Sequence, residues 1–373
     1  MDLSLAGLRF PVSQARGRRY PEPPHPYRND FQRDRDRIVH ARAFRRLENK
    51  TQVFTDPLSD HFRNRLTHTM EVAQIARTAA AVLQLDEDLT EALALAHDLG
   101  HPPFGHAGEE ELNRQMARHG DRFDHNLHTL RIVERFEQRY ARFPGLNLTF
   151  EVREGIAKHS RDFDPGEIPE LDEYLPGSRP PLEAQLIDLA DEIAYNTADL
   201  DDGFSAGLFE MDDVRAEIPQ YAEILEHIEM QFPGASVHIR FNESLRLLID
   251  RLVSGLIGGT FQSAEEAGAA SVEDVRRWPQ RLARLTPEAQ AISAALKHFL
   301  RSRVYFTPDL MAERTRSAAM VAELFEWFLA DLARLPETYR EVTGDEPPHR
   351  LICDHIAGMT DGYFQRTYRQ ACL

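Results

Sequence analysis

The sequence contains very little cysteine and no long apolar run, and each absence argues against a class of protein. Cys353 and Cys372 are the only cysteines among 373 residues. A secreted, disulfide-stapled fold is therefore disfavoured, and a reducing cytoplasm is expected. No uninterrupted apolar stretch reaches the roughly 20 residues that a bilayer-spanning helix needs. Arg16, Arg18 and Arg19 are not followed by the apolar segment of a signal peptide. We therefore expect a cytoplasmic protein with no membrane partner.

Basic residues are also fewer than acidic ones. Lysine and arginine total 44 against 61 acidic residues, which gives a net charge of -17. Nonspecific binding to nucleic acid depends on cationic side chains that neutralise phosphates. The charge balance therefore argues against nucleic acid as the main partner. It leaves room for a small anionic substrate held in a local basic pocket.

The alternating pattern of β-strands is scarce, and residues 146–149 form the one candidate. Apolar residues instead recur at three- and four-residue steps, which predicts an all-α fold. We expect helices from about residue 31, from the 63–68 segment to about 83, from 182 to about 200, and over 245–257, 289–305 and 318–332. A small-residue stretch at 255–270 should interrupt the later helices. We expect an extended Pro- and Arg-rich arm over residues 1–30, the core over residues 31–205, and a C-terminal helical region that completes the fold over residues 206–373.

The densest group of ligand-type side chains lies at residues 97–109, with the sequence HDLGHPPFGHAGE. Adjacent His97 and Asp98 can face one point only where a helix ends, because neighbours within a helix diverge by about 100°. Gly100 and the prolines after it supply that end. The helix that ends there should begin at a capping-box-like pair, Asp88 and Glu91. A polar loop with satisfied histidines is the alternative, but this density of ligands favours a metal-centred active site.

Three further features could complete such a site. His68 lies in the first turns of its helix, where it is either a core histidine or a ligand. Asp191, Tyr195 and Asp199 recur at four-residue spacing, so they share one helix face that is either solvated or lines the site. Arg45 leads into the polar segment 50–53 and either lies on a solvated face or contacts substrate.

These residues together resemble a known family. His68, the His97-Asp98 pair and Asp191, in that order on helices, resemble the ligand set of the HD-domain metal phosphohydrolases. Longer blocks resemble the bacterial deoxyguanosinetriphosphate triphosphohydrolase-like proteins, and they lie at residues 45–47, 50–54, 64–69, 97–106, 191–196 and 356–361. Together these similarities extend from roughly residue 16 to residue 370.

The resemblance implies an enzyme that splits a deoxynucleoside triphosphate (dNTP) into deoxynucleoside and triphosphate. It implies metal ligands within the core at His68, His97, Asp98 and Asp191. It implies an acid/base pair near the α-phosphate, with two histidines beside it: His106 and Glu109, then His101 and His125. It also implies phosphate contacts from Arg65, Lys158 and Tyr195, and contacts to the sugar 3'-hydroxyl from Gln52 and Asp199. A homo-oligomer, a hexamer in the family, and activation by a second dNTP are further expectations.

Three positions depart from the residues usual in that family. Asn49 stands where an aromatic residue is usual, His128 where glutamine is usual, and Ala198 where histidine is usual. All three fall near the expected sugar or base positions. They therefore bear on nucleotide preference more than on the chemistry.

The chemistry of the residues agrees with the resemblance. Two imidazoles and two carboxylates suit Mn, Mg, Fe, Co, Ni or Zn rather than a closed thiolate zinc site. A bound ion would act as a Lewis acid, and a histidine suits the proton transfer because its pKa lies near neutral pH. Two alternatives remain open. One is another HD phosphohydrolase, such as a nucleotidase or an alarmone or cyclic-nucleotide hydrolase. The other is a non-catalytic nucleotide sensor or nucleic-acid binder.

Overall fold

The computed structural model describes residues 3–52, 63–337, 339 and 346–372. Regular structure in these residues is helical, and pairing between extended segments is limited to isolated bridges. The predicted all-α fold is confirmed. No described helix has the length and apolarity needed to cross a membrane.

The α-helices of the described residues follow one another along the chain. They are α1 Asp30–Val39, α2 Arg42–Arg46, α3 Arg65–Leu83, α4 Glu87–Ala96, α5 Gly105–Ala117, α6 His125–Arg131, α7 Phe150–Ala157, α8 Leu182–Ser205, α9 Met211–Glu217, α10 Pro219–Gln231, α11 Val237–Ala267, α12 Val272–Arg277, α13 Pro287–Leu300, α14 Pro308–Ala330, α15 Pro348–Ala357 and α16 Asp361–Cys372.

The one candidate strand, at residues 146–149, does not form. Thr149 forms only an isolated bridge with Arg18, and side chains bind much of the remaining backbone of this segment. Arg37 donates to the carbonyl oxygens of Leu146 (2.8 Å) and Asn147 (3.1 Å). Asp34 accepts from both the backbone nitrogen (2.9 Å) and the hydroxyl (2.6 Å) of Thr149. Thr149 then precedes α7 as its N-terminal cap residue.

The chain divides into two compact units that alternate along the sequence. The first comprises Met1–Pro11, Glu71–Thr90 and Ser178–Leu310, and the second comprises Val12–Met70, Glu91–Gly177 and Met311–Leu373. The predicted arm, core and C-terminal region follow the order of the sequence instead. Their boundaries at residues 30 and 205 stay a prediction.

The N-terminal segment is ordered against its own chain. In the first unit, the Leu5 nitrogen donates to the Leu83 carbonyl (2.8 Å) and the Phe10 nitrogen donates to Glu183 (2.8 Å). In the second unit, Arg18 pairs with Asp34. A segment too rich in proline and arginine to form a core thus gains order from neighbouring helices.

The helix that leads into the central stretch begins earlier than the sequence indicates. We expected Asp88 and Glu91 to form its capping pair, but the helix starts at Glu87 and Asp86 caps it by accepting from the Leu89 nitrogen (3.0 Å). The capping prediction is wrong by two residues. The predicted C-terminal end is confirmed, because α4 ends at Ala96, immediately before His97.

In the first unit, α11 runs unbroken to Ala267, so the predicted interruption at the small-residue stretch is wrong there. The small residues instead allow close packing against the α13 region. A Cβ atom at Gly255 would lie 2.2 Å from the Cβ of Ala289. One at Gly259 would lie 2.4 Å from the carbonyl oxygen of Arg284. The glycines are there because the neighbouring chain leaves no room for a side chain.

In the second unit, the C-terminal helices pack against α5. Their apolar cluster joins Phe104, Leu112 and Met116 to residues of α14, α15 and α16, among them Phe325, Ile352, Ile356 and Phe364. This core holds the start of α5, and with it the turn that follows His97.

We predict that Gly259→Ala destabilises the protein while Gly258→Ala does not. The added methyl at 259 meets backbone atoms, and such overpacking costs about 1–3 kcal/mol. At Gly258 the nearest atom is Thr286 Cγ2 at 3.6 Å, an ordinary contact. Alanine there should stabilise the helix by about 0.5–1 kcal/mol. The urea midpoint of each variant measures its change in stability relative to the unsubstituted protein. Equal midpoints for the two variants would contradict this packing.

Candidate active site

The turn after α4 is shaped by a close backbone approach. A Cβ atom at Gly100 would lie 2.1 Å from the His125 carbonyl oxygen and 2.5 Å from the Thr129 nitrogen. Only glycine fits, so the turn lies directly against α6. Phe104 and Gly105 then adopt left-handed backbone conformations, with φ of 64° and 56°, and start α5 abruptly. The turn thereby brings the side chains at both of its ends into one region.

The first group of donor atoms belongs to His68, His97 and Asp98. Each residue is buried, and one ligand-type atom from each lies within 4.8 Å of the others. The Nδ1 atom of His97 lies 2.6 Å from the Ala94 carbonyl oxygen. Because a carbonyl only accepts, Nδ1 carries the proton and Nε2 has the lone pair, as in metal-ligating histidines. Two imidazoles and one carboxylate fit a divalent first-row cation.

Asp98 connects this group to two neighbours. Its Oδ2 atom accepts from Arg65 Nη1 (2.9 Å), and its Oδ1 atom lies 2.9 Å from His101 Nδ1. Burial opposes ionisation of Asp98, but His101, His97 and Arg65 together hold its pKa well below the ordinary value. Asp98 is therefore a carboxylate at neutral pH, which is the form that binds a cation.

The second group comprises His101, His106 and Glu109, whose donor atoms also lie within 4.8 Å of one another. Glu109 Oε1 accepts from the Nδ1 (2.8 Å) and the backbone nitrogen (3.1 Å) of His125. Glu109 Oε2 lies 3.8 Å from His106 Nδ1 and 3.9 Å from His101 Nε2. The His101 and His125 rings stack with centroids 4.0 Å apart. The four residues expected to handle protons therefore form one cluster.

The protonation states in this cluster differ. Burial, with Arg65 and His125, holds the pKa of His101 well below its usual value, so this ring is neutral. Burial also disfavours the charged form of His125, but its hydrogen bond to Glu109 raises the pKa overall. Burial opposes ionisation of Glu109, yet the nearby His106 ring and the hydrogen bond to His125 lower its pKa. Glu109 is thus a fixed negative charge. The side chain of His106, at 64% exposure, is open to solvent.

The residues of the second unit that are expected to contact substrate differ in burial and in their neighbours. Gln52 and Arg65 meet at the start of α5, where a Cβ on Gly105 would lie 3.4 Å from the Gln52 carbonyl oxygen and 3.1 Å from Arg65 Nη2. Lys158 is fully buried, and its Nζ donates to Glu154 Oε1 and to the Leu175 carbonyl, each at 2.9 Å. Arg45 is exposed on α2. Of the 50–54 block, Val53 and Phe54 lie outside the described residues.

The sequence did not indicate the role of Asp361. Its Oδ1 atom accepts from the Phe104 nitrogen (3.1 Å), and its Oδ2 atom accepts from the Thr51 nitrogen (2.8 Å). Nearby, Lys50 donates to the carbonyl oxygens of His101 and Ala357, the latter at 3.1 Å. Burial, with Arg46 and Arg65, lowers the pKa of Lys50 to about 7. The family-like block at 356–361 thus holds the polar segment beside the central turn.

His159 is a second residue that sequence reasoning left without a role. Its ring centroid lies 5.3 Å from that of His97 and 6.3 Å from that of His125. Its carbonyl oxygen accepts from Asn126 Nδ2 (2.8 Å). The one available signal was its position at the end of a helix, the same placement as His97.

In the first unit, Asp191, Tyr195 and Asp199 share one face of α8, as their spacing predicts. Asp191 and Tyr195 are half-buried, and Asp199 is buried. Tyr305, which the sequence did not indicate, donates its hydroxyl to Asp199 and stacks on Tyr195 with centroids 5.7 Å apart. Burial and the charge of Asp199 raise the pKa of Tyr305, so its hydroxyl stays a donor. The roles predicted for this face stay predictions.

Comparison with known proteins identifies the family. The HD domain matches residues 65–196, and the phosphohydrolase-associated domain matches residues 283–370. The chain is similar to proteins named deoxyguanosinetriphosphate triphosphohydrolase-like protein. Identity is 44% over 370 residues with that of Bordetella pertussis, covering 98% of this chain and 96% of that protein. It is 45% over 369 residues with that of Azoarcus sp. strain BH72, covering 99% and 96%. The chain therefore belongs to the deoxyguanosinetriphosphate triphosphohydrolase-like family of HD-domain phosphohydrolases.

Proposed function

We propose that the protein hydrolyses deoxynucleoside triphosphates to deoxynucleoside and triphosphate. The observation that carries the proposal is that the His101 ring lies between two groups of side chains. One nitrogen of its ring faces Asp98 in the donor group, and the other faces Glu109 in the proton-transfer group. A cation site thus adjoins a general acid/base, as metal-assisted hydrolysis requires. The names of the relatives point to a deoxynucleoside triphosphate as the substrate class.

His68, His97 and Asp98 would hold the cation, with Asp191 as the proposed fourth ligand. The buried donors fit Mn, Mg or another first-row ion such as Fe, Co, Ni or Zn. When bound, the ion supplies Lewis acidity at phosphorus. Arg65 supports this site because it binds the Asp98 oxygen that faces away from His101.

Proton transfer falls to His106 and Glu109. Two hydrogen bonds from His125 fix Glu109, whose other carboxylate oxygen lies 3.8 Å from His106 Nδ1. His106 would deliver a proton to the 5'-oxygen of the departing deoxynucleoside. A positioned acid/base of this kind typically contributes about 10²–10⁴-fold to the rate.

The remaining proposed roles concern substrate binding. Gln52 Oε1 is buried and has no hydrogen-bond partner among the described residues, which suits an acceptor for the sugar 3'-hydroxyl. Asp199 would share that hydroxyl. The phosphates would be bound by Arg65, Lys158 and Tyr195, with Arg45 nearby.

We also propose a homo-oligomer, a hexamer by family resemblance, with activation by a second dNTP. Sedimentation of the active protein tests the first, and a monomer with full activity would contradict it. Assays with the four dNTPs, singly and mixed, test the second.

We predict that Asp98→Ala and Asp191→Ala lose the resident metal, because each removes a charged ligand. Elemental analysis of the purified variants measures this. Asp188→Ala is the matched control, since Asp188 lies one turn before Asp191 on α8 and pairs with Arg281. It should retain the metal. Full metal content in both Asp98→Ala and Asp191→Ala would overturn the ligand assignment.

His106→Ala should keep the resident metal and lose turnover by about 10²–10⁴-fold, because the side chain transfers a proton. His119→Ala is the control, since His119 is an exposed histidine just beyond the other end of α5. Steady-state rates and metal content are measured together. A normal rate would remove His106 from the mechanism, and loss of the resident metal would make it a ligand.

Product analysis tests which bond breaks. With the sugar held at Gln52, beside the start of α5, the α-phosphorus would lie near His106. Attack opposite the 5'-oxygen gives deoxynucleoside and intact triphosphate, with label from ¹⁸O-water on the triphosphate only. Monophosphate and pyrophosphate, or label on the nucleoside, would contradict this geometry.

The same assay compares dGTP with GTP. If the sugar is packed closely, a 2'-hydroxyl is buried without a partner, at about 1–3 kcal/mol. That corresponds to about one to two decades in kcat/KM. Equal kcat/KM values would argue against close packing.

A further inference from the structure

The residues to which the proposal above assigns proton transfer also carry atoms that can bind a metal ion. His101, His106 and Glu109 form one of the two groups of at least three such donors within the described residues, separate from His68, His97 and Asp98. Two imidazoles and one carboxylate are a donor set that binds zinc in proteins with an open coordination position. The chemistry proposed above uses these residues for protons and leaves this capacity unexplained.

Hydrogen bonds already orient the donors. Glu109 Oε1 is occupied by the side chain and backbone of His125, so Oε2 is the oxygen that faces the two histidines. His101 Nδ1 faces Asp98, so Nε2 faces Glu109. Outer hydrogen bonds that fix ligand orientation in this way are typical of metal sites.

The spacing lies within reach of a small ion. Glu109 Oε2 is 3.8 Å from His106 Nδ1 and 3.9 Å from His101 Nε2. Tetrahedral zinc, with bonds of about 2.0–2.1 Å, holds its donors roughly 3.3 Å apart. Each of these two distances must shorten by about half an ångström or slightly more, and all three donors already lie within 4.8 Å of one another. The exposed His106 side chain can move toward Glu109. Mg²⁺ prefers oxygen ligands in an octahedron, so this set selects zinc-like ions.

We propose that His101 Nε2, His106 Nδ1 and Glu109 Oε2 bind a second, zinc-class divalent ion, which inhibits the enzyme by occupying its acid/base pair. The inhibitory part rests on the proposed function. The binding part does not, because it concerns donor atoms alone.

Metal counting tests the site. The protein, loaded with Mn²⁺, is titrated with Zn²⁺ at neutral pH, and both metals are counted by elemental analysis after removal of free ion. The expected result is one Mn and one Zn per chain. Turnover of dGTP should be lost in step with the zinc equivalent and restored when a chelator removes zinc alone. One metal in total, or zinc gained only by displacing manganese, would overturn the proposal.

Variants locate the ion. His106→Ala and Glu109→Gln should keep manganese and lose the zinc equivalent, whereas His119→Ala should keep both. His119 is the matched control because it is exposed and stacks on His349 at 4.6 Å, near Asp121. Loss of zinc in His119→Ala, or its retention in His106→Ala, would place the ion elsewhere and refute the site. If zinc binds as expected but no dNTP is hydrolysed, the site stands and the proposed function fails.

Discussion

The buried carboxylate of Asp98 is the group on which the candidate site depends. An isolated charge away from water is costly, and it persists only when it is paired and hydrogen-bonded. Arg65 binds one oxygen, while His101 and His97 lie against the other. The same contacts that keep Asp98 ionised also connect the metal donors to the proton-transfer cluster. The contacts that stabilise the charge of Asp98 therefore also determine how the two groups of side chains are arranged.

That arrangement needs the central turn to be held rigidly, and the C-terminal helices of the second unit do this. Asp361 accepts from Thr51 and Phe104, so one carboxylate joins the polar segment before α3 to the turn before α5. Lys50 adds a buried ammonium between two carbonyl oxygens. Burial, with Arg46 and Arg65, lowers the pKa of Lys50 to about 7, while the charges of Asp361 and Asp98 oppose that shift. Residues far apart in sequence thereby hold the central turn and the polar segment in place together.

Local patterns in the sequence were enough to predict the helical fold and the helix end before His97, because periodicity and residue type carry that information. Contacts between distant residues were not predictable. Tyr305 reaches Asp199 across 106 positions, and nothing in its own neighbourhood marks it. The candidate strand at 146–149 does not form for a related reason, since the side chains of Asp34 and Arg37 bind part of that backbone. The glycines of α11 also needed their packing partner to be interpreted.

His128, which stands where glutamine is usual in the family, is connected to the segment that carries Gln52 through a series of contacts. His128 is buried, and its Nδ1 atom lies 3.2 Å from Asp354, which Arg131 also binds at 3.0 Å. Asp354 belongs to α15, whose last residue, Ala357, supplies a carbonyl oxygen to Lys50. A different side chain at position 128 would therefore act on the helix that supports the polar segment carrying Gln52. If Gln52 binds the sugar as proposed, residue 128 would affect nucleotide preference through the position of Gln52.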